Sequence, residues 1–156
     1  MLFALTLFAA LGCGLIAGVF FAFSSFVMKA FANLPPGEGM AAMQSVNRTV
    51  LNPLFLGVFV GTAGACVFVA ASALLRWDAP GSGYALCGGL LYLVGTFLVT
   101  MVFNVPRNNA LAAAAPGDSG SAELWAIYLT SWTAWNHVRT VAALAAAASL
   151  TIALLS

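Results

Sequence analysis

His137 is the one histidine of this chain, and it lies in the string Trp132-Thr-Ala-Trp135-Asn136-His137-Val-Arg139-Thr140. These residue types suit acid–base chemistry on an anion. A neutral imidazole near pH 7 can take a proton. An arginine keeps its own proton and can hold a developing oxyanion. At ~100° per residue on a helix, Trp125, Trp132, Asn136 and Arg139 share an arc of ~60°, with Thr133, His137 and Thr140 on its flank. Asn47, Arg48 and Asn52 lie around the start of one apolar run, and Asn104 and Asn108 around the end of another. Two cations beside an imidazole keep it neutral. The candidate set is therefore His137, Arg139 and Asn136 as catalytic residues. Asn47, Arg48, Asn52, Asn104, Asn108 and Trp132 are the substrate-binding candidates. Plainer roles exist for each: the His caps a polar network, and Arg139 snorkels to lipid headgroups.

Metal chemistry finds few ligands. One His, no Cys-x-x-Cys spacing and no carboxylate inside the apolar runs exclude a di-iron carboxylate bundle in a single chain. No metal or organic cofactor is expected, with a single-His haem or a metal shared between subunits left as the alternative. Cys13, Cys66 and Cys87 each fall within an apolar run and read as small packing residues. No phosphate-binding glycine loop follows a strand.

The elements that must position these residues follow from composition. Hydrophobic residues make up 63% of the 156, charged ones 6%, and mean hydropathy is +1.04. Soluble domains carry about a quarter charged residues, so a soluble monomer is excluded. So is disorder, which needs low hydrophobicity and high charge. A net charge of +1 argues against a nucleic-acid partner. Residues 1–28, 49–75 and 79–106 are free of charge, and each exceeds the roughly 20 residues of a membrane-crossing helix. The last run, 140–156, rises only ~25 Å against a hydrocarbon core of ~30 Å. Its helix must draw in Trp135 to Arg139, which puts Asn136, His137 and Arg139 at membrane depth. There they should face the bundle interior or a water-filled cavity. Apolarity on all sides rules against a β-barrel, whose strands alternate.

The expected fold is all-α: a single domain over residues 1–156, a polytopic four-transmembrane-helix bundle with both termini on one side. It belongs in the cell membrane as a multi-pass protein of the bacterial inner-membrane kind. The first run has no basic n-region and is too long for a signal peptide, so it reads as a span. A helix from about Gly39 should kink near Pro53, with Gln44, Arg48 and Asn52 in one stripe. The last helix should start near Ser119 or Ser121, with Glu123 in its first turn. Gly14 and Gly18, and Gly57, Gly61 and Gly64, are spaced for close helix packing within the bundle or in a homo-oligomer. Arg-Thr-Val at 48–50 and 139–141 hints at an internal duplication. The four Trp suit an aromatic belt, though Trp125 and Trp132 share the polar face. Together the polar residues form a cup under one membrane face, placed in the cytoplasm by the positive-inside count. The expected partners are the bilayer and a hydrophobic small molecule.

Four strings carry a family resemblance: Phe23-Ser-Ser-Phe-Val-Met28, Met43-Gln-Ser-Val-Asn47-Arg48, Asn104-Val-Pro-Arg-Asn108 and the Trp132 to Thr140 string. In this order on four spans, the chain resembles the anthrone-oxygenase-like family of small membrane proteins. The resemblance covers nearly the whole chain and is most specific at Trp-Asn-His-Val-Arg-Thr. It implies a monooxygenase that converts an anthrone or related polycyclic phenol to a quinone without an organic cofactor. It also marks Asn47, Asn104, Asn108, Trp132, Asn136, His137 and Arg139 as matching positions. The competing class is a non-enzymatic one, a protein that binds or transports a small hydrophobic or anionic ligand, or a partner subunit.

Overall fold

A backbone immersed in hydrocarbon must satisfy its N–H and C=O groups internally, so each apolar run folds as a helix. The computed structural model describes residues 2–156 and contains no strand among them. Among the described residues four helices are long and apolar enough to cross a membrane: α1 (Leu2–Ala32), α3 (Pro53–Leu75), α4 (Ser82–Ala113) and α5 (Ser121–Leu155). A shorter helix, α2 (Pro36–Thr49), lies between α1 and α3. The polytopic four-span bundle read from the charge-free runs is the observed fold. Both termini meet at one end, where Leu2 and Phe3 lie with Ala153 and Leu154 around the α3–α4 turn. Gly81 closes that turn at φ 76°, and a Cβ there would stand 2.8 Å from the Ala153 carbonyl oxygen.

The expected kink at Pro53 is a full break. Pro53 has no N–H to continue a helix, and a residue before proline is pushed to extended backbone. Asn52 accordingly sits at φ −101°, ψ 158°, and its side chain caps α3 by accepting from the Phe55 N–H at 3.0 Å. The stripe of Gln44, Arg48 and Asn52 therefore does not exist. Gln44 is buried and donates to the Leu111 and Ala114 carbonyls at 2.7 and 2.9 Å, closing the end of α4.

Helix lengths set the shape around the site. At ~1.5 Å per residue, the 23 residues of α3 span ~34 Å, close to a bilayer core, and the 35 of α5 span ~52 Å. So α1, α4 and α5 run on past the start of α3. Against this extension α2 packs Met40 and Met43 onto Met28, Leu111, Trp125, Tyr128 and Trp132. The four-helix base holds a second cluster, including Cys13, Ile16 and Phe20 of α1, Phe59, Cys66 and Val69 of α3, Tyr92 of α4 and Leu150 of α5.

Lipid is as apolar as a leucine side chain, so the helices hold together by close packing. The contacts are made at Gly12 against Thr62, Gly88 against Leu150, Gly89 against Ala70 and Gly95 against Ala142. Gly14, Gly18, Gly57, Gly61 and Gly64 instead face open space. Their spacing of three or four residues does not mark the internal contacts, because runs apolar on every side do not reveal which face turns inward.

Two helices are locally widened. π-Helical turns occupy Phe23–Val27 in α1 and Leu91–Leu98 and Thr100–Asn104 in α4. Such turns are rare and concentrate at functional sites. In α4 the last of them precedes Pro106, whose ring would crowd the carbonyl four residues back in a regular α-helix.

Candidate functional site

The inward arc of α5 builds the site. Arg139 is only 4% exposed, and Asn136 is fully buried. The guanidinium donates through Nη2 to Asn136 Oδ1 at 2.7 Å and through Nη1 to Thr100 Oγ1 at 3.2 Å. Its Nε, also buried, has no partner among the described residues. The Phe20 ring lies 4.0 Å from the guanidinium carbon and the Trp132 ring 5.1 Å, so aromatic faces supply part of its solvation. Asn136 in turn donates to the Phe20 carbonyl and to Ser24 Oγ, both at 2.7 Å. That amide meets α1 just ahead of its π turn, and a side chain entering the backbone ladder is a recognised cause of such a distortion. Each partner of Arg139 is neutral. The four carboxylates of the chain, Glu38, Asp78, Asp118 and Glu123, are all exposed.

Arg139 lines a cavity of about 380 Å³, within the ~300–1,000 Å³ range of ligand pockets. Its walls are apolar: Phe20 and Phe23 from α1, Met43 and Val46 from α2, Phe55 and Phe59 from α3, and Phe97 from α4. Phe59 stacks on Phe55 and Phe97 with ring centroids 5.9 and 5.3 Å apart, which makes a flat aromatic floor. Polar groups reach it at Asn47, Thr100, Asn108, Trp132 and Arg139. The rim residues Leu51, Leu56, Val60 and Met101 are exposed apolar side chains on α3, α4 and the segment before Pro53. The opening is therefore sideways, between α3 and α4. Phe59 is the seventh residue of α3, ~9 Å from its start at ~1.5 Å per residue. The cavity thus straddles the start of α3, between its first two turns and the α2 residues Met43, Val46 and Asn47.

A sequence model of the anthrone oxygenase family matches residues 48–149, about two thirds of the chain. The chain belongs to the anthrone oxygenase family. No curated protein and no solved structure matches it. The segment matched by the anthrone oxygenase family contains Thr100, Asn108, Trp132, Asn136 and Arg139, and leaves out α1 and Asn47.

Of the residues expected in the site, Arg139, Trp132, Asn47 and Asn108 come together around the cavity. Asn136 lies behind Arg139 as its support, and buried Asn104 donates to the Trp132 carbonyl at 3.3 Å. Three expected residues are elsewhere. His137 is exposed on α5 and does not line the cavity, because one residue beyond Asn136 turns ~100° away from the inward arc. Arg48 is exposed near the end of α2 and is also absent from the cavity wall, so the two cations do not share a pocket. Asn52 serves as the helix cap.

The sequence reading also missed participants. Tyr128 donates to Asn108 Oδ1 at 2.8 Å and stacks between Trp125 and Trp132. Its position three after Trp125 and four before Trp132 was the available signal. Thr100 and Ser24 carried none, since single hydroxyls are common within apolar helices. Among the described residues no three His, Cys, Asp or Glu side chains converge as metal ligands. Two of the four Trp do not fit a belt: Trp125 and Trp132 are buried, while Trp77 is exposed.

Proposed function

We propose that this chain is a membrane-embedded oxygenase for a flat, apolar, weakly acidic anthrone-like phenol. The ligand enters sideways from the bilayer and is held as its oxyanion against Arg139. The observation that carries the reading is a buried guanidinium with only neutral partners at the edge of an aromatic cavity. An uncompensated charge away from water is costly. An incoming oxyanion supplies the missing counter-charge, and the cation favours the ionised form of a bound weak acid. The proton leaves to water at the nearby membrane face, and His137 has no part in its removal.

The enolate is electron-rich at its benzylic carbon. One dioxygen reacts there. One oxygen atom becomes the new ketone, and the other leaves as water with the two hydrogens of the methylene. The substrate supplies all the electrons, so the balance needs no further reductant. Phe55, Phe59 and Phe97 supply a surface for a flat ring system, and preorganised donors around Arg139 stabilise charge where it develops. Membership of the anthrone oxygenase family supports the reaction class. A simple binding protein would use the same cavity. Transport is the weaker reading, because Phe59, Tyr92, Cys13 and Cys66 pack beneath the cavity as part of one buried cluster.

The test is turnover of anthrone by the protein in nanodiscs under ¹⁸O₂. The expected product carries one ¹⁸O in its new ketone and forms faster than in empty nanodiscs. Arg139→Leu should lower the rate by ~10²-fold or more, as loss of one oxyanion donor does elsewhere. If anthrone and its hydroxylated derivatives are oxidised no faster than in empty nanodiscs, the reading is wrong.

A further inference from the structure

The polar groups at the α2 side of the cavity form a hydrogen-bonded chain whose direction one residue fixes. The Trp132 indole N–H can only donate, and it reaches Asn108 Oδ1 at 2.8 Å. This sets the Asn108 carboxamide with its oxygen toward Trp132. Tyr128 OH lies 2.8 Å from that same oxygen, so the phenol must donate to it as well. With its proton committed, Tyr128 can only accept from Asn47, whose Nδ2 lies 3.5 Å away. The chain therefore runs from the Asn47 amide through Tyr128 to Asn108, with Trp132 closing it. Left over are an acceptor, the Asn47 Oδ1, and donors, the Asn108 NH₂ and the second N–H of Asn47. None has a partner among the hydrogen bonds of the described residues, and both asparagines line the cavity.

We propose that Asn47 and Asn108 form a subsite for a neutral hydroxyl group of the ligand. A hydroxyl is the group that donates to one carboxamide oxygen while accepting from a neighbouring NH₂. A bare carbonyl uses only the N–H donors and leaves the Asn47 oxygen without a partner, and a second anion meets that oxygen unfavourably. The cavity thus has two poles, an anion pole at Arg139 and a hydroxyl pole at Asn47 and Asn108, joined by aromatic walls. The ligand class is a polycyclic phenol bearing one ionised and one un-ionised oxygen. This rests on the reading of Arg139 as the anion pole.

The experiment compares 2-naphthoate with its 3-, 6- and 7-hydroxy isomers, by equilibrium dialysis against nanodiscs with and without the protein at pH 7. The carboxylate stands for the oxyanion, and the hydroxyl is the only difference. At least one isomer should bind roughly five- to tenfold more tightly than 2-naphthoate, the worth of one or two net hydrogen bonds. Asn47→Leu and Asn108→Asp should each reduce that preference. The second keeps an acceptor for Trp132 and Tyr128 but removes the NH₂. The ratio of the two affinities is the readout, so any loss common to both probes cancels. Equal binding of all isomers to the wild-type protein, or a preference undiminished in both variants, overturns the hydroxyl pole. Loss of 2-naphthoate binding in Arg139→Leu sustains the anion pole independently. If 2-naphthoate and every isomer fail to bind, both poles are wrong.

Discussion

Replacing Arg139 with leucine should separate stability from binding. The substitution removes hydrogen bonds at 2.7 and 3.2 Å and the contacts with Phe20 and Trp132. It also leaves Asn136 Oδ1 buried without its donor, at a cost of about 1–3 kcal/mol. Against this, the variant no longer buries an uncompensated charge, a penalty of several kcal/mol even after relaxation. The two effects oppose each other, and the folded state should change by less than ~2 kcal/mol. Anion binding has no such offset. A hydrogen bond to a charged group contributes about 1.5–3 kcal/mol, so affinity for an aromatic carboxylate should fall ~10- to 150-fold. The assay pairs reversible unfolding in mixed micelles with dialysis of 2-naphthoate. A loss of about 3–5 kcal/mol, as when one partner of a buried ion pair is deleted, together with intact binding would refute the argument. That result would mean that Arg139 already has its counter-charge and serves the fold.

Other perturbations test separate links. His137→Gln should leave turnover and affinity within about twofold of wild type, as exposed substitutions usually do; a hundredfold fall in turnover would return the imidazole to the reaction. Asn136→Leu should destabilise by about 1–3 kcal/mol per stranded buried partner, read as a lower unfolding midpoint. Gly95→Val should cost about 1–3 kcal/mol by forcing α4 from α5, since a Cβ there meets Ala142 at 2.5 Å. Gly57→Ala, facing open space, should instead be neutral or gain up to ~1 kcal/mol in helix propensity. Met101→Trp at the rim should slow ligand uptake from vesicles more than it changes affinity at equilibrium.

The spans were legible because charge exclusion from hydrocarbon acts on every residue of a run at once. Arg139 and Asn136 were legible for the same reason: a helix too short without them had to bury them. What the sequence hid was rotation. On α5 the arc from Trp125 to Arg139 pointed inward as expected, but His137 was carried along by adjacency when one residue's turn takes it outside. The polar spacing of Gln44, Arg48 and Asn52 assumed an unbroken helix, and the pre-proline backbone at Asn52 broke it. The glycines failed likewise. Spacing alone did not separate Gly95, pressed on Ala142, from Gly57, which touches nothing.

The early start of that third helix has a consequence for how such a protein can diversify. Because α3 begins at Pro53 while its three long neighbours continue, the exposed rim residues Leu51, Leu56 and Val60 flank its first turns, beside the cavity that Arg139 lines. The proline therefore acts as a sill. Moving it by one helical turn would raise or lower the entrance by ~5.4 Å and leave the guanidinium and its supports untouched. Molecules reside at different depths in a bilayer according to how much of their surface is polar. A one-turn shift of a single residue would thus retune which of them meet the doorway, with the chemistry inside unchanged.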